Sequence, residues 1–198
     1  MDTSSGAHRT QGMVAGSLIA LVFGVVFVMA NTARLGGGWT IGVRVAGVAV
    51  ALALLVAVLR RRRAAAPAAA PPGPPWFTDR AYLTIVGVEA VALFGGLFVL
   101  NRLLGITTLN IAWIALVVGT HFFALGRIWR LPLFHGLGAA MVVLAVAGAA
   151  LHAAGAGPAA VDLVAGVGSG AALFATVAAA LVLDARPDTA GARAHDPA

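Results

Sequence analysis

The sequence predicts an all-α polytopic membrane protein, a bundle of six transmembrane helices arranged as three helical hairpins. Three observations predict it: a composition too apolar for a soluble domain, six apolar runs of spanning length, and arginines placed mainly between those runs. Hydrophobic residues make up 61% of the chain and charged residues 10%, with a mean hydropathy of +0.97. A soluble domain has roughly 45–50% and about 25%. A spanning helix needs about 20 mostly apolar residues, and the runs near 12–31, 38–59, 80–101, 108–128, 131–153 and 159–183 qualify.

The first run follows a short polar lead, 1–11, that carries Arg9. It is longer than the apolar core of a secretory signal, so it is expected to remain as a helix. The second run ends in Arg60, Arg61, Arg62 and Arg63, a stop and orientation signal that also attracts anionic lipid headgroups. The Pro- and Ala-rich stretch at 64–75 then reads as an extended, solvated linker. The third run opens at Arg80 and carries Glu89, and the fourth carries His121 before Arg127 and Arg130. Pro132 starts the fifth run, which holds His135 near its beginning and His152 at its end. Asp162 opens the sixth, and a polar tail, 185–198, follows. One membrane domain, 12–184, thus takes up nearly the whole chain.

Basic residues near helix ends are retained in the cytoplasm. With the N-terminus inside, ten of the thirteen arginines fall on the cytoplasmic side, leaving Arg34, Arg44 and Arg102 outside or within the outer part of a helix. Both termini, the 64–75 linker and the 185–198 tail are therefore expected in the cytoplasm, and the protein in the inner (plasma) membrane.

The net charge of +6 belongs to this topology pattern, since no basic face with interleaved aromatics argues for nucleic acid. The chain has no cysteine, which removes disulfides, thiolate metal sites and cysteine nucleophiles, and no lysine, which removes a Schiff base. Neither a GxSxG elbow nor an HExxH zinc motif occurs. No enzyme activity, cofactor or metal is expected.

Ionisable groups deep in a bilayer cost at least about 2.5–3.5 kcal/mol on insertion scales. Glu89 is the clearest case, ten residues after Asp79 and so about 15 Å along its helix, near the middle of the core. His121 lies on the next helix, across a short external loop, so the two are expected to be antiparallel neighbours that can pair. A carboxylate beside an imidazole is the smallest proton-relay unit, and equally a polar contact between helices. The second, structural reading weighs more, because no third polar group stands at that depth. His135 reads as an interfacial histidine, with a polar path from His121 to the cytoplasm as the sharper alternative. His152 and Asp162 form a candidate external polar pair, with Asp162 favoured at a helix N-terminus by the macrodipole. Arg44 is expected to snorkel toward the headgroups. Small residues at GMVAG, 12–16, and GVGSG, 166–170, predict close approach of helices 1 and 6. A weak echo relates FGVVFV, 23–28, before Asn31 to FGGLFV, 94–99, before Asn101.

The stretch Gly119-Thr120-His121-Phe122-Phe123-Ala124-Leu125-Gly126 resembles a segment of a group of small bacterial, actinobacterial-type multi-helix integral membrane proteins. That group carries Gly-x-His-Phe-x-Pro-Leu-Ala near a helix end. Gly119, His121, Phe122 and Leu125 match, while Ala124 stands at the proline and Gly126 at the alanine. The resemblance covers helices 3 to 5, implies a six-helix domain without an assigned activity, and marks His121 as a recurrent feature. The function expected is structural or partner-binding, with the lipid bilayer, anionic headgroups, and a second copy or another membrane protein as partners. The alternative is a small proton-coupled transporter or channel-like protein using Glu89 and His121 as a midplane relay.

Overall fold

A computed structural model describes residues 3–64 and 80–185. The 64–75 linker, Ala64 apart, and the tail from 186 onward lie outside the described residues. Six helices follow one another: α1 (Thr3–Ala30), α2 (Gly37–Ala64), α3 (Arg80–Phe98, running on into a π-helical turn, Val99–Leu103), α4 (Asn110–Trp129), α5 (Pro132–Ala153) and α6 (Pro158–Asp184). Each is long and apolar enough to cross a membrane, and no strand occurs among the described residues. The helix starts follow local chemistry. Pro132 and Pro158 stand in the first turns of α5 and α6, where the missing N–H has no intrahelical partner to lose.

The packing departs from three independent hairpins. The helices of each expected hairpin do pair, but the most extensive contact, α4 on α5, joins two hairpins, and α1 also packs closely on α6. At the α4/α5 crossing the two backbones nearly touch: a Cβ on Gly138 would stand 2.7 Å from the Gly119 carbonyl oxygen. Phe27, Ile111, Met141 and Leu173, from α1, α4, α5 and α6, meet in one core cluster. A second cluster joins α1, α2 and α6 through Leu21, Ala51, Val58, Phe174 and Val177. Neither includes a residue of α3. The bundle is therefore a four-helix core, α1, α4, α5 and α6, with α2 laid on α1 and α6 and α3 laid on α4.

The close approach of helices 1 and 6 is present within the chain. Gly170 packs on the Gly24 carbonyl and Val28, and Gly166 on Asn31, so the complement of GVGSG is the later part of α1. The echo between the first and third runs extends to one detail. Asn31 and Asn101 each donate their side-chain amide to the carbonyl four residues back, Phe27 O at 2.7 Å and Leu97 O at 2.8 Å. The helices around them are not equivalent, since α1 is central and α3 peripheral.

Arg44 does not reach for headgroups. It turns back on the end of α1, where Nε donates to Thr32 Oγ1 at 2.8 Å and Nη2 to the Met29 carbonyl at 3.1 Å. The last carbonyls of a helix have no intrahelical donor and carry the negative end of its dipole, so a guanidinium there satisfies both needs. Arg44→Met is expected to lower stability by about 1.5–3 kcal/mol, the range for hydrogen bonds to charged groups, read as an earlier unfolding transition in detergent. An unchanged transition would show that water replaces the guanidinium at no cost.

Candidate functional site

Glu89 lies on α3 and His121 on α4, and the structure brings them together: Nδ1 of His121 is 2.9 Å from Oε2 of Glu89. Their positions explain the match. Glu89 is seven residues in from Tyr82, where its spanning segment starts, and His121 is seven residues before Ile128, where the antiparallel segment ends. Both therefore sit about 10 Å from the arginine-bearing end of the bundle. In segments of 22 residues, about 33 Å long, the pair stands a third of the way in from that end.

Both side chains are largely shielded, at 21% exposed for Glu89 and 13% for His121. The approach has charge-pair distance without hydrogen-bond alignment, since Nδ1 is closed off from solvent yet has no aligned partner. The separation is set by two packed helices, and a small rotation of the ring would align Nδ1 with the carboxylate. The carboxylate accordingly retains free acceptor positions.

The pair forms the polar floor of a groove of about 400 Å³ between α3 and α4, flanked by Thr84, Trp113, Thr120 and Ala124. Both threonine hydroxyls donate to their own helix, Thr84 to Arg80 O and Thr120 to Leu116 O, each at 2.8 Å. Trp113 fixes the far side of the groove by donating Nε1 to the Ala92 carbonyl at 3.2 Å, and its indole occupies the space left by Gly96. No residue in the most hydrophobic stretch of α3 is buried, so the groove opens on the flank of the bundle and not into a central pore.

His135 is exposed and does not extend the pair into a polar path. Its ring lies edge-on to Phe123 at 6.0 Å and against Gly126, and Phe122 in turn packs edge-on to His121 and Phe134. The way from His121 toward the α4/α5 turn is thus aromatic. Asp162 is not a first-turn cap, because Pro158–Val161 precede it in α6. It is buried, and its Oδ2 accepts from Arg34 Nη1 at 2.9 Å. That contact replaces the His152–Asp162 pairing; His152 stands half-buried in the last turn of α5. No group of three or more metal-ligating residues occurs among the described residues.

Arg60, Arg61, Arg62 and Arg63 close α2, and Arg127 and Arg130 close α4 and its turn. Arg61 also stands 3.7 Å from Asp184 at the end of α6, an exposed pair worth at most about 1 kcal/mol. Sequence reading missed the polar contact at the opposite end of α3, where Asn110 Nδ2 donates to Asn101 Oδ1 at 2.9 Å and Asn110 Oδ1 is buried without a partner. The π-helical turn at Val99–Leu103 places Asn101 there, and apolar periodicity carries no sign of such a turn.

Comparison with family models, curated proteins and solved structures found no match. The site itself is therefore the basis for a functional reading.

Proposed function

We propose that this chain is an integral inner-membrane protein with a structural or partner-binding role, in which Glu89 and His121 clasp the peripheral helix α3 onto α4. The observation that carries the reading is the 2.9 Å contact between Glu89 and His121 on a helix that contributes nothing to either core cluster. A helix with so little apolar burial inside the chain needs a polar contact to hold its register. Its outer face, with Leu83, Val91, Phe94 and Phe98 exposed, remains for lipid or for a membrane partner, including a second copy. Arg60–Arg63, Arg80, Arg127 and Arg130 share one end of the bundle, which supports a cytoplasmic placement of that end and of both termini.

A double-mutant cycle tests the clasp. Glu89→Gln and His121→Ala are each expected to lower stability in detergent, with a coupling of about 0.5–2 kcal/mol between them, the range of polar contacts between membrane helices. Strict additivity of the two losses would remove the clasp.

The second reading, a proton-coupled transporter, draws on the closed-off Nδ1 of His121 beside a carboxylate. It requires that Glu89→Gln fold normally and lose proton flux in liposomes. The aromatic contacts around Phe122 and Phe123 on the route to the nearer end favour the clasp over the relay.

A further inference from the structure

Acceptors dominate the polar groups of the groove between α3 and α4. The Thr84 and Thr120 hydroxyl protons are committed to Arg80 O and Leu116 O, so each oxygen offers only lone pairs. Glu89, when ionised, is an acceptor alone. Nδ1 of His121 lies 2.9 Å from that carboxylate. The Trp113 Nε1–H is spent on Ala92 O, and what its indole has left to offer is a π face, which attracts cations. No arginine lines the groove. The apolar remainder of the lining and a volume of about 400 Å³ suit a small amphiphile, within the usual range of about 300–1,000 Å³ for ligand sites.

We propose that this groove binds an amphiphilic primary ammonium ion, its N–H donors shared between the Glu89 carboxylate and the Thr84 and Thr120 oxygens and its alkyl part along the apolar walls. Charge complementarity selects the ligand. A cation in low dielectric needs a counter-charge and acceptors, and the groove supplies both in Glu89 and the two threonine oxygens. Depth selects the source. The site lies about 10 Å inside the spanning segment, below the level of lipid headgroups, so the occupant is a single-chain amine that enters sideways from the bilayer.

Among titratable groups, Glu89 and His121 line the site, while Arg80 and Arg127 stand toward the near ends of the same two helices and His135 approaches α4 from α5. The proposal rests on the Glu89–His121 geometry and not on the clasp's contribution to stability, so the two fail separately. The clasp is read by unfolding without ligand, the site by binding to folded protein.

The test is isothermal titration of octylammonium into the purified full chain in neutral detergent at about neutral pH, with octanoate and octan-1-ol as matched amphiphiles. Saturable binding of octylammonium alone is expected, above the linear background of micelle partitioning. Glu89→Gln is expected to weaken it at least about tenfold, which corresponds to 1.4 kcal/mol. Thr84→Val/Thr120→Val keeps shape, removes only bonds internal to each helix, and is expected to weaken binding about threefold or more. It decides the matter should Glu89→Gln not fold. The proposal is overturned by the absence of saturable binding, by equal binding of octanoate, or by unchanged affinity in a folded variant.

Discussion

Gly170→Leu is expected to unfold the bundle at a temperature far below that of the parent protein, with a loss of about 3 kcal/mol or more. A Cβ at position 170 would lie 2.8 Å from the Gly24 carbonyl oxygen and 2.9 Å from Val28. The first of these atoms is backbone and cannot rotate away, so the whole of α1 must move. Overpacking a tight contact costs about 1–3 kcal/mol where side chains can adjust, and here they cannot. The same crossing carries Gly24 against Phe174 and Gly166 against Asn31, so displacement of α1 would break three close contacts at once. Ala171→Leu, one residue on at an exposed position, is the control and should be nearly neutral. Thermal unfolding in one detergent compares the two. Equal stability would mean that α1 and α6 do not cross as the structure has them.

Much of this arrangement was legible because membrane burial writes a strong one-dimensional signal. Runs of about 20 apolar residues located all six helices, with differences where the chain is polar or irregular. α1 begins at Thr3 and α2 continues through the arginines to Ala64, since arginines and small polar residues can extend a helix without adding to an apolar run. Glu89 and His121 were paired from depth and antiparallel order alone, which works when two helices share a short loop. Contacts that join distant parts of the chain left no trace in one sequence. Arg34 and Asp162 are 128 residues apart, and the return of Arg44 onto Thr32 depends on how the α1–α2 turn folds back. The order of helices around the bundle was likewise hidden. Hydropathy ranks α3 with its neighbours, yet only packing reveals that α3 stands outside the core.

That peripheral position makes two adjacent glycines an internal comparison. Gly95→Val is expected to change stability little, since a Cβ there meets nothing within 4 Å, whereas Gly96→Val is expected to detach α3 from α4. Any side chain at 96 runs into the Trp113 indole, so the ring must leave its slot and surrender the 3.2 Å bond from Nε1 to Ala92 O. A displaced indole also fills or opens the groove that Glu89 and His121 floor, and the register that keeps those two 2.9 Å apart is set by the same helix pair. The loss is put at about 2–4 kcal/mol, from an overpacked contact of about 1–3 and a broken hydrogen bond of about 1. Two measurements separate the outcomes: thermal unfolding of both variants, and cross-linking between cysteines introduced at Val88 and Thr120 in this cysteine-free chain, both groove-lining positions on facing helices. Gly96→Val should lower the unfolding transition and reduce cross-linking, while Gly95→Val should leave both as in the parent. If the two variants behave alike, the indole is not what seats α3, and the polar contact of Glu89 with His121 must hold the helix by itself.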